Sequence, residues 1–131
     1  MKKMPTAAIA AVLLVGPVLV AGPAHASHGG SDEVRRSGSC SGSTDWKIKA
    51  KPDDGRIEVE AEIDSNRNGQ TWRWTLRHEG RVADTGRSTT HRPSGSFSVE
   101  RRTRNAAGSD SFKFRAVHRA TGEVCVARVT L

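Results

Sequence analysis

The chain has 131 residues, with 21 Lys and Arg against 14 Asp and Glu, for a formal net charge of +7 at pH 7. Only 35% of the residues are hydrophobic, too few to supply several membrane spans, and the length holds one domain. The basic excess points toward acidic partners if the charge is gathered on one surface.

Lys2 and Lys3 precede an apolar run from Ala7 to Ala21, interrupted by Gly16 and Pro17. Ala24-His25-Ala26 closes the run with small residues at its first and third places. This is the pattern of a secretory signal peptide over 1–26, and it predicts an exported, extracellular protein with no membrane anchor after cleavage. Residues 27–43 are rich in Ser and Gly, so a flexible lead-in is expected there, followed by a folded domain over 44–131. The chain has two cysteines, Cys40 and Cys125. An even number in an oxidising compartment predicts one disulfide.

From Trp46 onward the apolar residues recur with a period of two. Trp46, Ile48 and Ala50 alternate with lysines, then Pro52 to Gly55 reads as a turn. Ile57, Val59, Ala61 and Ile63 alternate with Arg56, Glu58, Glu60 and Glu62, a half-buried strand by pattern. A polar loop over Asp64 to Gln70 leads to Trp72, Trp74 and Leu76, whose shared parity places both tryptophans inside. After the turn at Glu79-Gly80, a weak edge strand is expected over Val82 to Thr90. A two-residue turn would point Ala83 and Thr85 inward, and a three-residue turn with a bulge would point Val82 inward. Phe97 and Val99 follow, then Phe112, Phe114 and Ala116, then Cys125, Ala127, Val129 and Leu131 on one parity. No helical period is sustained in the mature part. The prediction is an all-β chain of about seven antiparallel strands closed into a two-sheet sandwich.

The run Asn105-Ala-Ala-Gly-Ser-Asp-Ser-Phe112-Lys-Phe114-Arg-Ala116 resembles the corner and sixth strand of an immunoglobulin-like domain, and Gly69-Gln-Thr-Trp72-Arg-Trp74 resembles its third strand. In that resemblance Phe112 stands at the corner tyrosine, Phe114 at the second core cysteine and Ala61 near the first. The cross-core bridge of antibody domains is therefore missing, and Cys40–Cys125 would tie the entry segment to the last strand. The chain also resembles a group of small secreted actinobacterial proteins without an assigned activity. The resemblance is carried by Ser37 to Gly42, Gly69 to Trp72 and Gly122 to Cys125.

Two topologies distribute the charge differently. In a meander, Lys47 and Lys49 face Glu60 and Glu58, and Arg73 and Arg77 face Glu62 and Glu58, each pair contributing about 0.2–1 kcal/mol. In the immunoglobulin-like arrangement the glutamate strand and the tryptophan strand lie in different sheets. Arg73 and Arg77 would then join Lys113, Arg115 and Arg128 on one outer face with no acid among them. These five residues are the candidate site for an anionic ligand, with an anionic cell-wall polymer as the partner class.

Other chemistry is thinner. Asp64-x-Asn66-x-Asn68-Gly69 opens like a calcium loop, but Thr75 occupies the place of the bidentate glutamate, so a polar turn is expected and no metal. His78, His91 and His118 lack a nucleophile motif, and no cofactor-binding or nucleic-acid motif is present. The expectation is a binding module without enzymatic activity. The alternatives are an inhibitor-like domain that contacts another extracellular protein through Ser65–Gln70 or Arg119–Gly122, and a small hydrolase in which the histidines converge.

Overall fold

The computed structural model describes residues 32–131. The signal peptide expected over 1–26 and the first residues of the expected lead-in lie outside the described residues. Eight strands follow in order: β1 (Val34–Ser39), β2 (Asp45–Asp53), β3 (Arg56–Asp64), β4 (Thr71–His78), β5 (Arg81–Thr89), β6 (Ser96–Arg104), β7 (Ser111–His118) and β8 (Val124–Thr130). They form two four-stranded sheets, β1-β2-β3-β6 and β5-β4-β7-β8, with every pairing antiparallel. The molecule is an all-β sandwich, and no helix occurs among the described residues.

The period-two pattern decides which sheet face is buried. Burial alternates residue by residue along β3, from Ile57 to Ile63, and along β4, from Trp72 to Leu76. The two inner faces meet in one apolar core that contains Trp72 and Phe114, both fully buried. Trp74 stacks on Phe114 with centroids 5.6 Å apart, and its Nε1 donates to Ser88 Oγ at 3.0 Å. Each such buried side chain contributes about 1.5–3 kcal/mol through apolar surface removed from water.

The eighth strand is β1, which lies inside the segment expected to be a flexible lead-in. Residues 34–39 instead pair with β2, from Val34 opposite Ala50 to Ser39 opposite Asp45. Gly38 lies against the Trp46 ring, and Val34 packs on the core. The order of this strand comes from backbone pairing and from the Cys40–Cys125 disulfide, which joins its end to β8. Its sequence has no apolar alternation, because only its ends reach the core.

The β4–β5 hairpin also departs from expectation. Its turn has two residues, Glu79 and Gly80, both at positive φ. A register shift between Leu76 and Arg77 then leaves Ala83 without a partner and sets Leu76 opposite Asp84. The bulge reverses the parity, so Asp84, Gly86 and Ser88 turn inward while Ala83 and Thr85 stay exposed. Val82 is 51% exposed. Neither alternative drawn from the turn length survives, although the strand is an edge strand as expected. Arg101 of β6 donates to Asp84 across the sandwich at 2.7 Å. That hydrogen bond, aided by the Thr85 N–H, holds the Asp84 carboxyl below its usual range. Its contribution is therefore present above the ordinary carboxylate range and fades as pH falls through the lowered value.

The disulfide closes a loop across a sequence separation of 85, long enough to remove about 4–5 kcal/mol of unfolded-chain entropy in the loop-closure picture. The double variant Cys40→Ser/Cys125→Ser is expected to lose about 2–5 kcal/mol in urea denaturation. Unchanged stability would show that β1 and β8 hold together without the bridge.

Candidate functional site

The strand order places β3 and β4 in different sheets. The glutamates of β3 therefore meet the lysines of β2 on one side, and on the other side β6 sets Arg102 opposite Glu58 and Glu100 opposite Glu60. Lys49 Nζ lies 3.7 Å from Glu60 and Lys51 Nζ 3.6 Å from Glu58. The meander pairing of Arg73 and Arg77 with glutamates does not occur.

The outer face of the second sheet is assembled from β4, β7 and β8. Arg77 sits opposite Lys113, and Lys113 sits opposite Arg128, so three cations occupy one row across three strands. Backbones in such a row are about 4.8 Å apart. Arg115 faces Thr75 and Val126 one row along, and Arg73 faces Val117 in the row beyond. The structure thus brings together all five residues singled out in the sequence. Lys113 is half-buried between its neighbours, and the other four are exposed.

Arg87 of β5 belongs to the same face and was missed in the sequence. It sits directly opposite Arg73 and is exposed. Its parity depends on the bulge at Ala83, which the amino-acid pattern does not announce. Asp84, the acidic residue of β5, is turned to the other side by the same bulge and is taken up by Arg101. Glu79 stands at the rim in the turn, where its Oε1 accepts the Ser111 N–H.

None of these cations forms a salt bridge among the described residues. Like charges directly opposite on a sheet destabilise it, so the face is held against its own repulsion by the core beneath. Beside the three-cation row lies a depression of about 250 Å³ lined by Arg77, Lys113, Arg128, Ser111 and Thr130. Val117, Val124 and Val126 share the outer face, giving it apolar ground between the charges.

The remaining candidates do not converge. His118 lies opposite Trp72 at one end of the β4–β7 ladder, and His78 lies opposite Phe112 at the other, about 20 Å away at strand spacing. His91 is exposed in the segment before β6. Buried His78 stacks on Phe112, with centroids 4.5 Å apart, and its Nε2 is 2.6 Å from Asp110 Oδ1. Asp110 also accepts the Ala106 N–H at 3.0 Å, fixing the loop that enters β7. His78, Glu79 and Asp110 are close enough to share an ion, but Asp110 Oδ1 and Glu79 Oε1 already accept protein hydrogen bonds. The group reads as a corner clamp.

In the calcium-like loop, Asp64 Oδ1 accepts the Asn66 N–H at 3.0 Å, and Asn66 and Gly69 take positive φ. This is an Asx turn, the polar turn expected. The loops Ser65–Gln70 and Arg119–Gly122 lie at one end of the sandwich, where both contribute to the wall of a shared cavity.

Comparison with protein-family models, with curated proteins and with solved structures finds no match to this chain.

Repulsion on the cationic face gives a direct test. Lys113→Gln is expected to stabilise the fold by about 0.2–1 kcal/mol at low ionic strength, with the gain shrinking as salt is added. Thermal unfolding at two salt concentrations measures it. Destabilisation at low salt would show that Lys113 is paired in solution.

Proposed function

We propose that the protein is an exported binding module with an immunoglobulin-like arrangement of strands, and that the outer face of its second sheet holds an anionic polymer of the cell envelope. One observation carries this reading. Arg73, Arg77, Lys113, Arg115 and Arg128, joined by Arg87, share one sheet face without an acidic side chain among their strand neighbours. Solubility alone would be served equally well by charges of mixed sign, as on the first sheet, where lysines and glutamates interleave.

The disulfide supports an oxidising, extracellular setting. The separation of β3 and β4 into different sheets, with β4 beside β7 and β7 beside β8, supports the immunoglobulin-like reading over the meander. The chemistry of binding is additive and electrostatic. Each guanidinium or ammonium neutralises one anionic group and releases its counterion, so affinity falls steeply with salt. Guanidinium forks donate to phosphate or carboxylate oxygens in pairs, which favours arginine at such a face. The rigid sheet presents the cations at fixed spacing, so little order is lost on binding.

The test is a pulldown with purified cell wall across a salt series. The wild-type chain is expected to bind at low salt and to release as salt rises. Changing Arg73, Arg77, Lys113, Arg115 and Arg128 together to Ala should abolish binding. Single changes should lower the slope of log affinity against log salt by about one each. Changing Lys47, Lys49 and Lys51 on the other sheet should leave binding unchanged. Equal loss from both sets, or retention by the five-residue variant, would overturn the proposal.

A further inference from the structure

The three-cation row borders a concave end of the second sheet. The depression of about 250 Å³ beside it is walled by Arg77, Lys113 and Arg128 and by two side chains one row further along, Ser111 and Thr130. Ser111 and Thr130 sit opposite each other on β7 and β8 and are exposed. They share parity with Lys113 and Arg128, so their hydroxyls stand on the outer face. The β4–β5 turn closes the third side through Gly80. This volume is below the range of about 300–1,000 Å³ usual for whole small-molecule sites, so the depression suits one chemical group of a larger ligand.

The walls are held in place by the chain itself. Arg77 Nη1 donates to the Gly80 carbonyl at 3.2 Å, which lays the guanidinium along the turn and leaves its other N–H groups without a protein partner among the described residues. The Ser111 N–H donates to Glu79 Oε1, fixing the turn to β7. Just beyond Ser111 and Thr130, Asp110 and Leu131 exchange two backbone hydrogen bonds, each of 2.8 Å, so the strands stay paired past the depression. The Asp110 carboxylate is turned away from it and taken up by buried His78.

Donors therefore converge here without acceptors of their own. None of the three cations is in a salt bridge, and neither hydroxyl bonds another protein group, among the described residues. Glu79 stands at the rim, and three cations with one carboxylate leave a side-chain charge of +2. A phosphate monoester carries about −1.5 to −2 at pH 7 and presents three acceptor oxygens. A phosphodiester or a carboxylate carries a single charge and two free oxygens. The count of charges and donors thus matches the monoester. Trp72, Trp74, Phe112 and Phe114 of β4 and β7 are all buried beneath this face, so they offer no exposed ring to stack a nucleobase. That leaves a sugar or polyol as the body of the ester.

We propose that this depression seats a phosphate monoester carried by a sugar or polyol, with Arg77, Lys113 and Arg128 holding its charge and the hydroxyls of Ser111 and Thr130 donating to its oxygens. The proposal rests on the reading of this face as an anion-binding surface and names the group that it takes. With the phosphate seated, the rest of the ligand runs over Arg115 toward Arg73 and Arg87, the cations further along the same face.

The test is an amide-resolved NMR titration of the ¹⁵N-labelled, disulfide-bonded protein at constant ionic strength. The probes are glycerol 3-phosphate, dimethyl phosphate and acetate. Glycerol 3-phosphate is expected to shift the amides of 77–80, 111–113 and 128–130 saturably and to bind about tenfold more tightly than either monoanion. Lys113→Gln removes one charge-assisted hydrogen bond and should weaken that binding about tenfold. Ser111→Ala combined with Thr130→Val should do the same through two neutral bonds. A native spectrum outside the seat assigns either loss to binding. Equal binding of the three probes, shifts spread evenly over the face, or glycerol 3-phosphate binding untouched by both variants would overturn the proposal. The same probes, used as competitors in the wall pulldown, separate the sources of the ester. Displacement by glycerol 3-phosphate and not by dimethyl phosphate assigns it to the wall polymer. Binding of the probe without displacement assigns it to a free phosphate ester, and both results support the seat. Wall binding without preference among the probes overturns the seat and leaves the broader reading standing. Absence of wall binding with glycerol 3-phosphate still bound overturns the polymer and keeps the seat.

Discussion

The passage of the chain from one sheet to the other between Asp64 and Thr71 governs everything that follows. On the near side of that crossing, β3 carries its glutamates to the lysines of β2. On the far side, β4 carries Arg73 and Arg77 to a sheet whose outer face offers them only more cations and neutral residues. Had the two strands paired with each other, the same amino acids would have neutralised one another. One topological choice thus turns a modest basic excess into a one-sided distribution of charge.

The crossing is itself secured by packing and by local chemistry. The Asx turn at Asp64, the hydroxyl of Thr90 reaching the Arg67 carbonyl, and the Ser65 hydrogen bond to the Gly95 carbonyl hold the connecting loop against the β5–β6 connection. The buried tryptophans then anchor β4 on the far sheet, with Trp72 at 0% and Trp74 at 5% exposure. Gly86 is needed opposite Trp74, because a Cβ there would collide with the indole. The disulfide and the Glu123 carboxylate close the sandwich at the same end, which leaves the interloop cavity with rigid walls.

Much of this was legible in the amino-acid sequence, and the reasons are physical. Strands such as β3 and β4 bury one face, so their side chains write a period of two that reads directly. The five cations could be grouped because three strands with readable parity carry them. What stayed hidden depends on the backbone. The bulge at Ala83 changes parity without any change of composition, and it decides the orientation of Arg87 and Asp84. The strand β1 is ordered by pairing and by a bridge, which a Ser- and Gly-rich stretch does not advertise. The interloop cavity joins residues from three segments far apart in the chain, which no local motif records.

Arginine footprinting with phenylglyoxal, read residue by residue by mass spectrometry with and without purified wall polymer, locates the binding face. Protection is expected at Arg73, Arg77, Arg87, Arg115 and Arg128, with Arg56, Arg102 and Arg104 of the other sheet remaining reactive. Protection spread evenly over both sheets, or confined to the first, would contradict a binding face on the second sheet.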